Sequence, residues 1–139
     1  MPSFFSKPVL DTEFEAAAHH TMSRQQRACV AKSQDVIRSA LLPGEQPRFV
    51  LVEDSTGSWV VVVTDWRLLV FSTSFSGVCR VLAFAGYRGQ FALEVETNWS
   101  TRGAAVVIIA DGFRVRFKVS HPAAGRELVQ IAELSAEAR

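Results

Sequence analysis

The chain has 139 residues, 48% of them hydrophobic and 21% charged. That is enough for one domain with its own core, too little for two ordinary ones, and the balance of a folded rather than a disordered chain. With 15 basic against 14 acidic side chains, no general attraction to nucleic acid or an anionic membrane follows, and any such binding needs a local patch. No apolar run approaches the roughly 20 residues that cross a bilayer as a helix.

Residues 1–9, with Pro2, Lys7 and Pro8, read as an irregular lead. It lacks a basic start followed by an apolar stretch, so a secretory leader is not expected and a cytoplasmic location is. From Asp11 the composition turns helical, and no Gly or Pro intervenes before Pro43. One long helix, bent or straight, is the simplest expectation. Its apolar positions Leu10, Phe14, Ala17, Ala18, Met22, Cys29, Val36, Ile37 and Leu41 keep rough helical spacing, broken by Gln25 and Lys32.

Pro43-Gly44 stops the helix, since proline donates no backbone hydrogen bond and glycine tolerates positive φ. Strand composition then takes over. Arg48 to Glu53 and Ser58 to Thr64 are the first two predicted strands, separated by Asp54-Ser55-Thr56-Gly57, and Leu68 to Ser72 is the third. The run from Val60 to Phe71 is the clearest hairpin, because four valines suit a pleated backbone and Thr64-Asp65-Trp66-Arg67 forms a polar turn. A loop through Phe75 leads to a fourth strand, Val78 to Phe84, and Gln90 to Thr97 is the fifth. Ala104 to Ala110 and Phe113 to Val119 flank Asp111-Gly112, a strong two-residue hairpin signal. Pro122 suits a first helical turn, and Leu128, Ile131, Leu134 and Ala138 recur at helical spacing.

Seven strands in a meander followed by one helix is the element order of the pleckstrin-homology (PH) superfold. Leu42-Pro43-Gly44-Glu45 and the turn Thr64-Asp65-Trp66-Arg67 more narrowly resemble the bacterial PH-like, YokE-type domains. The resemblance covers the last two thirds of the chain. It implies an α+β fold: a seven-stranded antiparallel barrel or orthogonal sandwich, capped by the C-terminal helix with Leu128, Ile131 and Leu134 as the plug. Residues 1–42 form the lead and added N-terminal helix, and 43–139 the PH-like domain. The expected role is non-enzymatic, a module acting through protein contacts with a partner or a second copy of itself.

Arg114, Arg116 and Lys118 alternate with apolar residues, so one predicted strand face is basic. An acidic lipid is the alternative ligand, while the structural reading is a solvated face balanced by Glu94 and Glu96. Lipid-binding PH domains carry basic residues around the first hairpin. Here Glu53 and Asp54 stand there with no lysine or arginine. Phe75 and Trp99, in predicted loops, are candidate aromatic anchors for a protein.

Other candidates reduce to structure. Asp65 and Arg67 read as a turn with a local ion pair. His19 and His20, adjacent on the predicted helix, point about 100° apart, poor geometry for holding one metal, and read as surface residues. His121 reads as a helix-start residue. Cys29 and Cys79 fit no metal spacing and are expected as reduced thiols. No phosphate-cradling loop or nucleophile–base pattern is present, so neither cofactor nor catalysis is expected. One signal stays open: Trp59, Val61 and Val63 alternate with Val60 and Val62, and Ala104 to Ala110 is apolar throughout. Both faces of these strands require cover, from the N-terminal helix or from another protein.

Overall fold

The computed structural model describes residues 9–53, 59–73, 79–98 and 103–137. Two helices, α1 (Thr12–Ala17) and α2 (Arg24–Ala40), precede seven strands and a final helix, α3 (Pro122–Glu137). The strands are β1 (Pro47–Val52), β2 (Trp59–Thr64), β3 (Leu68–Thr73), β4 (Cys79–Gly86), β5 (Phe91–Asn98), β6 (Gly103–Ala110) and β7 (Phe113–Val119). They form two antiparallel sheets, β1-β2-β3-β4 and β5-β6-β7. The α+β architecture, seven strands in two sheets with a C-terminal helix, is the one expected from the sequence.

The N-terminal helix is two helices, not one. Ser23 caps α2 by a reciprocal pair: its Oγ accepts from the Gln26 N–H at 3.2 Å, and Gln26 Oε1 accepts from the Ser23 N–H at 2.7 Å. This capping box is worth about 1 kcal/mol and sets a start within the apparently continuous helical run. Between the helices Ala18 makes a parallel bridge to Val50, and the His19 N–H donates to the Val50 carbonyl at 3.0 Å. Arg38 on α2 ties α1 down, pairing with Asp11 and, at 2.9 Å, with Glu13, while lying over the Phe14 ring.

Strand register separates two faces on the first sheet. Leu51, Val61, Val70 and Phe84 lie on one; Val52, Val60, Phe71 and Leu82 lie on the other. The first faces the second sheet, where Phe84 stacks on Phe113 at 5.0 Å between ring centroids and meets Phe91 edge-on. The other face is the one whose cover was in question. Helices α1 and α2 supply it: α1 lies against β1, α2 against β4 and β1, and Phe14, Val30 and Ile37 are fully buried in the same cluster as Val60, Val62 and Phe71. The Cys79 N–H donates to Ser33 Oγ at 2.8 Å, fastening β4 to α2. The chain therefore covers its own valine strand.

Helix α3 touches β6, β5, β2, β1 and β7, lying across the gap between the sheets. Gly125 allows the approach, since a Cβ there would sit 3.3 Å from Val106 and 3.4 Å from Val119. Leu128 is buried and Ile131 partly so, but Leu134 is 57% exposed. The plug expected from three residues is formed by the first two, because the helix runs past the core before its last turn.

Candidate functional site

The Leu42–Glu45 segment and the Thr64–Arg67 turn come together around the buried Glu45 carboxylate. Leu42-Pro43-Gly44-Glu45 turns from α2 into β1, with Gly44 at φ +82, a left-handed conformation, and a Cβ there would sit 3.6 Å from the Trp66 ring. This places the buried Glu45 carboxylate under the β2–β3 turn. Arg67 grips it with two donors, Nε to Oε2 at 2.9 Å and Nη2 to Oε1 at 2.6 Å, and Nη2 also donates to the Ala40 carbonyl at 3.0 Å. Thr64 Oγ1 donates to Glu45 Oε2 at 2.6 Å, and the Leu42 N–H to Oε1 at 2.9 Å. Burial pushes the Glu45 carboxyl up, but Arg67, Thr64 and the Leu42 N–H outweigh it and hold it below its ordinary value.

The expected local pairing of Asp65 with Arg67 is corrected here. Arg67 pairs with Glu45, 22 residues away in sequence, while Asp65 Oδ1 accepts from the Gln46 N–H at 2.9 Å. The threonine–arginine spacing is a structural signature: Thr64 Oγ1 also accepts from the Arg67 N–H at 2.8 Å, closing the turn. The node joins α2, β1 and the hairpin, and its Glu45 carboxylate is closed off from solvent.

The basic residues do share an exposed face. Across the second sheet Glu94 and Glu96 on β5, Val107 and Ala105 on β6, and Arg116 and Lys118 on β7 lie in register. An acidic row and a basic row thus flank a buried apolar one. Arg116 Nε reaches diagonally over β6 to Glu96 Oε2 at 3.0 Å. Arg114 and Lys118 have no ion pair among the described residues. At the rim, Glu53 is buried, and its carboxylate accepts from the Lys118 backbone N–H at 3.1 Å, joining the end of β1 to β7. Phe75 and Trp99 lie outside the described residues.

The feature that the sequence reading passed over is β4. It ends the first sheet and carries Arg80, Val81, Leu82 and Ala83 exposed in succession, with Val81 at 57% and Leu82 at 37%. Irregular register at two points along the β3–β4 ladder keeps the strand from running flat. The other edges are managed differently. The Ala18 bridge covers β1, Glu53 closes on β7, and β5 carries Glu94 and Glu96. The only sequence signal for β4 as an edge was its Cys-Arg-Val-Leu-Ala-Phe-Ala composition, which reads equally well as a buried strand.

A second correction concerns His19. It is 5% exposed, not a surface residue, because it lies in the α1–α2 link rather than on a helix. Its Nδ1 meets Thr21 Oγ1 at 2.7 Å, its Nε2 meets Glu127 Oε2 on α3, and its ring stacks on exposed His20 with centroids 4.4 Å apart. A cleft beside it, with room of ≈ 10 Å³ for one water, is lined by Thr21, Val119, Ser120 and His121 among others.

Comparison with family models, with curated proteins and with solved structures finds no match for the chain.

Proposed function

We propose that the chain is a non-enzymatic, PH-like interaction module of the bacterial YokE type, working through protein contacts, and that β4 is its contact strand. The observation that carries this reading is the exposed apolar edge. Unpaired strand edges recruit further strands through main-chain hydrogen bonds, and Val81 and Leu82 add apolar area to that contact. A second copy is the simplest occupant. In an antiparallel β4–β4 pairing centred on Leu82, Arg80 of each copy stands opposite Phe84, so the strand's one charge meets no like charge. The packed interior around Phe71, Ile108, Phe117 and Leu128 supports a binding surface over an enclosed ligand site.

Light scattering on the full chain tests this. A dimer that becomes a monomer in Val81→Lys, with unchanged circular dichroism, is the expected result. A full chain that stays monomeric at high micromolar concentration overturns self-association through β4.

A second reading, peripheral recognition of acidic phospholipid, is favoured by the exposure of Arg114, Arg116 and Lys118 on one face. Glu94 and Glu96 on that face and the Arg116–Glu96 pair weigh against it. Salt-sensitive co-sedimentation with phosphatidylserine vesicles, lost when the three basic residues are neutralised, would favour lipid instead.

A further inference from the structure

The chain has three histidines, and the fold gathers all of them at one corner. His19 and His20 stand in the α1–α2 link beside Glu127 of α3, while His121 lines the adjoining cleft together with Thr21. Nothing in the interaction reading uses this corner.

The geometry points to a divalent transition-metal site, of zinc-like ligand preference, formed by His19, His20 and Glu127. One ligand atom from each lies within 4.8 Å of the other two. Tetrahedral zinc with ligand bonds of about 2.0–2.2 Å holds its donors about 3.3–3.6 Å apart, so the wider separations close by little more than 1 Å while the hydrogen-bonded His19 Nε2 and Glu127 Oε2 part to admit the ion. The two exposed members, His20 and Glu127, supply that movement, while buried His19 is the fixed anchor. Thr21 does for His19 what outer-sphere partners do for metal-bound imidazoles. Its hydroxyl, 2.7 Å from Nδ1, and its backbone N–H, 3.3 Å from the same nitrogen, hold the ring by Nδ1 and turn Nε2 to Glu127. Without metal, a proton holds His19 Nε2 and Glu127 Oε2 together. Metal entry displaces that proton, which passes to Nδ1 where the Thr21 hydroxyl accepts it, and places the cation between the same two atoms, with water in the fourth position.

Adjacent histidines on a helix diverge, which is why the pair looked unsuited to a metal. Off the helix, their rings stack at 29° between planes and a common cation is within reach of both. The site joins residues 108 apart in sequence, pinning the N-terminal cover to the C-terminal helix.

The test is calorimetric titration of the full chain with zinc chloride, alongside cobalt(II) absorption. The expected result is one equivalent bound, tetrahedral-type visible bands for cobalt, and affinity at least tenfold weaker in both His20→Ala and Glu127→Gln. Both side chains are exposed, so the variants keep the fold, checked by circular dichroism. No binding, or unchanged affinity in either variant, overturns the site. A cobalt–thiolate charge-transfer band also overturns it, by placing the ion at Cys29 or Cys79.

Discussion

Removing the Glu45 carboxylate is the sharpest test of how the motif residues hold this fold. Glu45→Ala deletes the acceptor of four hydrogen bonds, two from Arg67 and one each from Thr64 and the Leu42 N–H. The Arg67 side chain, 11% exposed, is left with the Ala40 carbonyl as the remaining acceptor of this node. Breaking a buried pair by removing one partner costs about 3–5 kcal/mol, mostly the cost of a stranded charge. Against a total stability of about 5–15 kcal/mol, that is about a fifth or more of what a domain this size has. At a urea slope near 2 kcal/mol per M the unfolding midpoint falls by about 2 M. Glu45→Gln keeps an acceptor but not the charge, and loses about half as much. The effect also has a pH signature. The Glu45 carboxyl is held below its ordinary value near 4.5, so its contribution is complete above that pH and disappears as the pH falls through the lower folded value. Urea melts between pH 3 and 7 should show the wild-type chain losing its advantage over Glu45→Gln in the acid range. A midpoint shift below about 0.5 M for Glu45→Ala, or no convergence in acid, would refute the claim that this node is a buried, structure-bearing ion pair.

Two further outcomes follow from the covered face. A chain beginning at Leu42 lacks Phe14, Val30 and Ile37, exposes the Val60, Val62 and Phe71 side of the first sheet, and should aggregate or stay unfolded under conditions that keep the full chain folded; a well-folded truncation by light scattering and circular dichroism contradicts the helical cover. Cys29 and Cys79 are free and buried, and burial raises both thiols, Cys79 to about 11. At pH 8 the thiolate of Cys79 is then on the order of a thousandth of the total, so Ellman's reagent should react slowly with the native chain and fully in denaturant; rapid stoichiometric labelling of the native chain counts against this packing.

How legible each part was depends on how local its cause is. The strands were read to within two residues because their ends are written in adjacent residues: Pro43-Gly44 before β1, Thr64 to Arg67 between β2 and β3, Asp111-Gly112 between β6 and β7, with Gly44 and Gly112 at positive φ. The break between α1 and α2 was also written locally, in Ser23 and Gln26, but composition alone continued the helix through it. Other features have no local cause. Arg67 has an acid two residues away and pairs instead with one 22 residues off, since only the folded node brings Glu45 beneath it. His19 is buried because α3 returns against it. The basic row was visible in the alternation of β7, yet its diagonal tie to Glu96 depends on β6 standing between. The exposure of Val81 and Leu82 follows from sheet order, which the composition of β4 does not encode.

The return of α3 to the α1–α2 link has a consequence for how the chain is made. Val60 to Val63 are shielded on one side by helices that precede them in the chain and on the other by a second sheet and a helix that follow them. During synthesis the first sheet can assemble with its helical cover, but its inner face stays open until α3 has cleared the exit tunnel. Closure of the core therefore waits for Pro122–Glu137, and a chain stalled before Pro122 presents an unfinished apolar surface for chaperones to hold.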